Sequence, residues 1–270
     1  MPLAVCATPI GNLDDVTLRV LRELAEADLV LCEDTRHTRR LLERHEIRVA
    51  RLLSYHEHNE AKRTAEVLPR LQAGERVALV SDAGLPAIND PGRRLITAAR
   101  EAALPVTVLP GPSAVETALV ASGLVSDRYQ FLGYLPRGER ALQGLGEELA
   151  RWPWSVVAFE SPQRLPRALS VLARVVPERP AAVCRELTKR FEEVVVGTLA
   201  ELASRFSDAP KGEVTIVIGP ARAPVTAENE GAAAEAVAEL VAAGVPRRAA
   251  ADLVSRLTGV ARNRLYRSSL

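Results

Sequence analysis

Along the first 120 residues, short apolar runs alternate with longer stretches in which apolar positions recur every three or four residues. Runs at 3–7, 29–32, 51–54, 77–80 and 106–109 predict strands. The first intervening stretch predicts a helix capped by Asp14 or Asp15, with Leu18, Leu21 and Ala25 on its apolar face. Further helices are predicted over 35–46, 59–72 and 91–103, and Gly74 stops the 59–72 segment. Strand–helix alternation of this kind predicts a mostly parallel sheet with helices on both faces.

The pattern changes near residue 121, where Ser122-Gly123-Leu124-Val125-Ser126-Asp127 reads as a linker. Strands are predicted at 129–132, 155–159, 181–185, 193–196 and 215–218, and helices at about 139–150, 163–174 and 199–206. The strands at 181–185 and 193–196 are close enough to form a hairpin. From Pro224 the chain becomes Ala-rich and helical, with breaks at Gly244-Val245-Pro246 and at Gly259. The expected organisation is an α/β domain over 1–120, a mixed α+β domain over 121–222, and a tail of two or three helices over 223–270.

Composition narrows the class. The chain has 270 residues, 47% apolar and 26% charged, which suits a soluble globular protein. No run of 18 apolar residues suggests a membrane span, and the N-terminus reads as a strand, not a signal peptide. Three cysteines, Cys6, Cys32 and Cys184, sit in apolar runs without a CxxC, as buried thiols of a cytoplasmic protein do. The formal net charge of +1 announces no polyanion partner, but charge is unevenly spread. Arg36, Arg39, Arg40, Arg44 and Arg48 share one segment. Residues 245–270 hold six arginines, among them Arg247, Arg248, Arg262 and Arg264, against one acid, Asp252. Such patches fit RNA contact, or a solvated helix face in an arginine-rich chain. Tyr55, Tyr134 and Tyr266 are available for base stacking or for half-burial.

Three of the first five strands end in Pro/Gly-punctuated loops: Thr8-Pro9-Ile10-Gly11-Asn12, the twelve residues 81–92, and Pro110-Gly111-Pro112-Ser113-Ala114. Ligands of open parallel sheets bind outside the carboxyl ends of the strands. Glycine lets backbone approach a ligand, and proline stiffens the loop in advance. Together the loops predict a preformed rim, with Asp82 the obvious group to meet an amine, a hydroxyl or a cation. No G-x-G-x-x-G and no G-x-x-x-x-G-K-[ST] is present, so dinucleotide and Walker-type phosphate loops are absent. His56-x-His58 lacks a third ligand in register, and no metal is expected.

The strings Glu33-Asp34-Thr35-Arg36-His37-Thr38-Arg39 and Ser54-Tyr55-His56-Glu57-His58-Asn59-Glu60 are specific. With Val80-Ser81-Asp82-Ala83-Gly84, Leu109-Pro110-Gly111-Pro112-Ser113-Ala114, Glu160-Ser161-Pro162, Arg185-Glu186-Leu187-Thr188-Lys189 and Lys211-Gly212-Glu213, they follow one family's motif order. The chain resembles ribosomal RNA small subunit methyltransferase I, the 16S rRNA (cytidine-1402-2'-O)-methyltransferases, over almost its whole length.

That resemblance implies a two-domain tetrapyrrole-methylase-like fold with S-adenosylmethionine in the cleft between domains. It implies 16S rRNA of the small ribosomal subunit as partner, no membrane, and a homodimer. It implies Pro9, Ser81, Asp82, Leu85, Ser113, Ala114, Phe159, Glu186 and Leu187 beside the cofactor. Leu85, Asn89 and Gln163 depart from the family pattern, which has threonine, serine and histidine there.

A ribose hydroxyl needs a group to take its proton. Asp34, Glu33 and Lys189 are the first choices among the charged residues of the motifs. Asp34 has a second reading, as N-cap of the 35–46 helix. Competing readings are a methyltransferase acting on a tetrapyrrole, and a non-catalytic RNA- or ribosome-binding protein of the same fold.

Overall fold

The computed structural model describes residues 2–221, 227–258 and 260–268. Two compact units are present, Met1–Pro220 and Ala221–Leu270. In the first unit, β1 (Leu3–Cys6), β2 (Leu29–Cys32), β3 (Leu52–Ser54), β4 (Val77–Val80) and β5 (Val106–Leu109) alternate with α1 (Leu18–Glu26), α2 (Thr35–Arg44), α3 (Glu60–Gln72), α4 (Arg93–Glu101) and α5 (Ala114–Ser122). The strands form one parallel sheet in the order β3-β2-β4-β1-β5. Side chains alternate between its faces. Leu29, Leu31, Val77 and Leu79 enter one core, and Val30, Cys32, Ala78 and Val80 the other. Both faces are covered by helices, which explains runs that are apolar throughout.

A second sheet follows. It contains β6 (Tyr129–Tyr134), β7 (Ser155–Glu160), β8 (Pro180–Arg185), β9 (Glu193–Thr198) and β10 (Val214–Ile218), with α6 (Glu139–Leu149), α7 (Leu165–Val175) and α8 (Leu199–Arg205). Its order is β6-β7-β10-β8-β9. β6 runs parallel to β7; β10 is antiparallel to β7 and β8; β8 and β9 form the antiparallel hairpin the sequence suggests. Arg179 is buried below this sheet and donates to the carbonyls of Leu149, Trp152 and Gly219 at 2.6–2.7 Å. Those bonds tie the entries of β7 and β8 to the exit of β10.

The helix α5 ends the first half of the sequence yet packs on the second sheet. Val115, Ala118 and Leu119 meet Val157, Ala182, Cys184 and Val217, together with Ile10 and Leu187. The second unit holds α9 (Ala227–Ala242), α10 (Arg247–Thr258) and α11 (Arg262–Ser268). Its core includes Val237, Ala250, Ala251, Val254 and Leu265. The break between α9 and α10 falls at Gly244-Val245-Pro246, as the sequence indicates; Gly259 lies outside the described residues.

The first helix corrects two expectations. Thr17, not Asp14 or Asp15, caps it, its hydroxyl accepting the Val20 N–H at 3.2 Å. Its buried face is Val20, Glu23 and Leu24, while Leu18 is 77% exposed. The sequence carries two overlapping apolar stripes, and only the sheet beneath decides which is buried. Leu24→Ala is expected to cost about 2–5 kcal/mol in urea unfolding, and Leu18→Ala less than about 0.5 kcal/mol; equal losses would contradict this orientation.

Candidate active site

Because β4, β1 and β5 are neighbours, the three Pro/Gly loops emerge side by side. Thr8 and Gly84 bond reciprocally, with Thr8 N–H to Gly84 O at 2.8 Å and Gly84 N–H to Thr8 O at 3.0 Å. The Thr8 hydroxyl adds a bond to Ser81 O at 3.0 Å, and the Ser81 hydroxyl turns inward to Ala83 O and Gly84 O. In the 81–92 loop, Ala87 and Asn89 hold left-handed backbone, with φ of 71° and 62°. Glu186 and Thr188, in the facing turn of the second sheet, do so too, with φ of 51° and 64°. Non-glycine residues pay conformational energy in this region, and such strain gathers at functional sites.

Gly11 lets these two halves meet. A Cβ there would lie 2.7 Å from Thr188 Oγ1 and 2.9 Å from Leu187 O, so only glycine fits. The Asn12 N–H then reaches Thr188 Oγ1 at 3.0 Å.

Between the loops and the second sheet lies a cavity of about 870 Å³. That volume suits a nucleoside-sized ligand. Asp82, Leu85, Ser113, Ala114, Phe159 and Leu187 line it, and so does Glu33. Further walls come from Ile88, Asp90, Pro112, Glu116, Tyr129, Phe131, Tyr134, Glu160, Gly212 and Glu213. Six of the lining residues are acidic (Glu33, Asp82, Asp90, Glu116, Glu160 and Glu213), and none is Arg, Lys or His. A cavity of this sign favours a cationic ligand and repels phosphate.

The acids differ in their support. Glu160 is buried and faces Arg164 Nη2 at 3.1 Å. Glu116 accepts from the hydroxyls of Tyr129, at 2.6 Å, and Ser113. Glu213 pairs with Lys189 at 2.9 Å. Asp82 accepts the Asp34 N–H at 2.9 Å. Burial raises the Glu33 pKa, and the charge of Asp82 adds to it.

Asp90 is pushed up to about 6, chiefly by burial, with Glu33 and then Asp82 adding and the Ser81 hydroxyl opposing. The folded chain thus holds this proton more tightly than the unfolded one, whose carboxyl titrates near 3.8. Stability is lost as pH rises through that window.

Other sequence-selected residues lie off the cavity wall. Asp34 takes the second of its two readings, as N-cap of α2. Its carboxylate accepts the Arg36 N–H at 2.8 Å and pairs with the Arg36 guanidinium at 2.6 Å, which holds its pKa well below the usual range. Lys189 is not on the cavity wall. Burial alone would lower its pKa, but bonds to Glu213 and Glu186 hold it above the ordinary lysine value. Pro9 and Ser81 are buried behind the wall. Glu186 is also off the wall and accepts from Lys189 and from the Glu213 N–H, both at 3.0 Å.

Arg39 and Arg40 are exposed, and Arg36 is spent largely on Asp34. In the helical tail Arg248 is exposed and Arg247 half-buried; Arg262 pairs with Asp252 at 3.2 Å and Arg264 with Glu230 at 3.3 Å. His56 Nε2 lies 3.0 Å from Asn59 Nδ2. Among the described residues no three His, Cys, Asp or Glu side chains gather as a metal set.

Sequence reading missed Tyr129, Phe131 and Glu116, and singled out Tyr134 for base stacking but not for this cavity. The apolar run at 129–132 marks a strand but not which sheet edge its end reaches. Parallel pairing with β7 carries Tyr134 to the cleft beside Phe159, ring centroids 5.8 Å apart.

The family model for Tetrapyrrole (Corrin/Porphyrin) Methylases matches residues 2–203. A ribosomal RNA small subunit methyltransferase I from Mesorhizobium japonicum is 44% identical over 273 residues, covering 99% of this chain and 91% of that protein. The chain belongs to the tetrapyrrole methylase family, in its ribosomal RNA small subunit methyltransferase I branch. Another member of the branch, from Synechocystis sp., is 40% identical, with 99% and 97% of the two chains covered.

The tetrapyrrole methylase fold is also seen in solved structures. The methyltransferase CobJ matches with a TM-score of 0.62 at 21% identity, over 82% of this chain and 94% of that one. Uroporphyrin-III C-methyl transferase from Thermus thermophilus, solved in complex with S-adenyl homocysteine, matches with a TM-score of 0.56 at 19% identity, over 80% and 96%.

Asp90→Asn is expected to be more stable than wild type above pH 6, by on the order of 1–2 kcal/mol, and equal to it below about pH 4. Urea unfolding across that range checks this, and a wild type that gains stability with rising pH relative to the variant would contradict it.

Proposed function

We propose that this chain transfers a methyl group from S-adenosylmethionine to small-subunit ribosomal RNA, at the 2'-hydroxyl of cytidine 1402 of 16S rRNA. The carrying observation is the identity of 40% or more over nearly the whole chain with relatives named for that RNA class. Cavity chemistry supports the donor. S-adenosylmethionine has a net positive charge, a sulfonium and an ammonium against one carboxylate, and carries no phosphate, which suits a wall where Glu33, Asp82, Asp90 and Glu116 have no Arg or Lys partner.

S-adenosylmethionine supplies the activated methyl group. The chain's own part is placement, charge and proton handling. The loops after β1, β4 and β5 form one wall, with Asp82, Leu85, Ser113 and Ala114 facing the donor. Phe159 and Leu187 close the other side. Glu33 is the proton acceptor in this reading. It lines the cavity, stands free of arginine, and has a raised pKa that makes it a better base than an ordinary carboxylate. Arg36, Arg39 and Arg40 beside the cleft, and Arg247, Arg248, Arg262 and Arg264 in the tail, are the RNA contacts it implies. The enzyme works in the cytoplasm as a homodimer. Val108 and Val120, exposed on β5 and α5, offer apolar surface for pairing. No helix among the described residues is long and apolar enough to cross a membrane.

Mass mapping of 16S rRNA from a strain lacking this protein is expected to show cytidine 1402 without its ribose methyl, restored by the wild-type chain. The Glu33→Gln variant is expected to bind S-adenosylmethionine normally but to transfer the methyl group roughly 10²–10⁴ times more slowly. An unchanged ribose in the deletion strain would overturn the substrate, and undiminished transfer by the variant would overturn the role of Glu33.

A further inference from the structure

A cleft walled by carboxylates poses a problem for an RNA substrate. The target ribose must enter while the phosphodiesters on either side of it are repelled. Within hydrogen-bonding reach of a phosphate they need a cation, and the cleft wall contains none.

A second, smaller pocket of about 250 Å³ adjoins the first. Its lining is Arg137, Leu142, Glu160, Arg164, Arg167 and Ala168, and Glu160 also lines the main cavity. Three arginines thus stand across one buried carboxylate from the proposed site of methyl transfer. Arg164 offsets that carboxylate at 3.1 Å, so the pocket keeps two net positive charges. The same guanidinium donates to Leu135 O at 2.7 Å and Pro136 O at 3.0 Å. It fixes the chain between Tyr134, 56% exposed at the cleft, and Arg137. Arg137 is exposed, and the structure gives it no hydrogen bond or ion pair. Arg167 makes one weak contact, 3.3 Å to Glu139, which is held more closely by Arg174 at 2.7 Å.

We infer that the Arg137–Arg164–Arg167 pocket binds a phosphodiester of the RNA strand next to the methylated nucleotide, with Arg137 and Arg167 as the donors and Arg164 as their brace. Guanidinium groups suit this task because their planar forks match phosphate oxygens. The division of labour follows from charge: the acidic cleft takes the cationic donor, and the basic pocket beside it takes the anionic backbone. This assignment rests on the RNA reading above.

The test uses the full-length chain, S-adenosylmethionine, and small ribosomal subunits from a strain lacking this protein, at several salt concentrations. The Arg137→Ala/Arg167→Ala variant is expected to bind S-adenosylmethionine as wild type does and to keep its kcat. Its KM for the subunits should rise about tenfold, and the slope of log affinity against log salt should shrink by about 0.7, one single-strand phosphate contact. The Arg137→Lys/Arg167→Lys variant, which keeps both charges, should recover the slope and part of the KM. If wild type methylates the subunits and the double alanine variant matches it in KM and slope, the phosphate site is overturned while the RNA reading stands. If wild type does not methylate the subunits, the RNA reading falls and takes this assignment with it.

Discussion

Uncompensated negative charge in the cleft is the constraint on which the rest of this structure turns. Glu33, Asp82 and Asp90 face one cavity without a basic residue on its wall. Partial burial, with their mutual repulsion added, raises the pKa values of Glu33 and Asp90. Such an arrangement costs stability in the empty protein and returns it when a cation binds. The fold supports that cost elsewhere, in two sheets packed on both faces and in the reciprocal Thr8–Gly84 bonds that keep the loops in place.

The same constraint orders the surroundings. Basic groups are kept off the wall and used as braces: Arg36 on Asp34, Lys189 on Glu186 and Glu213, Arg164 on Glu160. Each partner carboxylate outside the cavity is held in an ion pair. Glu33 is left as an acid on the cavity wall without an arginine partner, at the end of a strand next to a capped helix. Glu33, Asp82 and Asp90 thereby gather at the edge where β2, β4, β1 and β5 end.

Much of this was legible from the chain alone where local physics decides. Apolar runs flanked by glycine and proline gave β1, β4 and β5 and the loops beyond them, because burial on both faces leaves no alternation to misread. Asp34 was readable as a cap for the same local reason. Features set by distant contacts were not readable. The antiparallel direction of β10 brings Gly212–Thr215 to the cleft beside the end of β7, and no local signal sets strand direction. The docking of α5 on the second sheet depends on Val157, Ala182 and Val217, far away in sequence. The stripe chosen by α1 depends likewise on the sheet it covers. Ser81 and Glu186 sit in the loops after β4 and β8 and turn their polar atoms into the framework.

Calorimetry probes the charge complementarity between this cleft and a sulfonium donor. Purified chain would be titrated with S-adenosylmethionine and with S-adenosylhomocysteine, which lacks the sulfonium charge, at low and high salt. One ligand per chain is expected in both cases, with S-adenosylmethionine losing more affinity to salt than the neutral thioether. No binding heat for S-adenosylmethionine, or equal salt dependence for the two ligands, would contradict it.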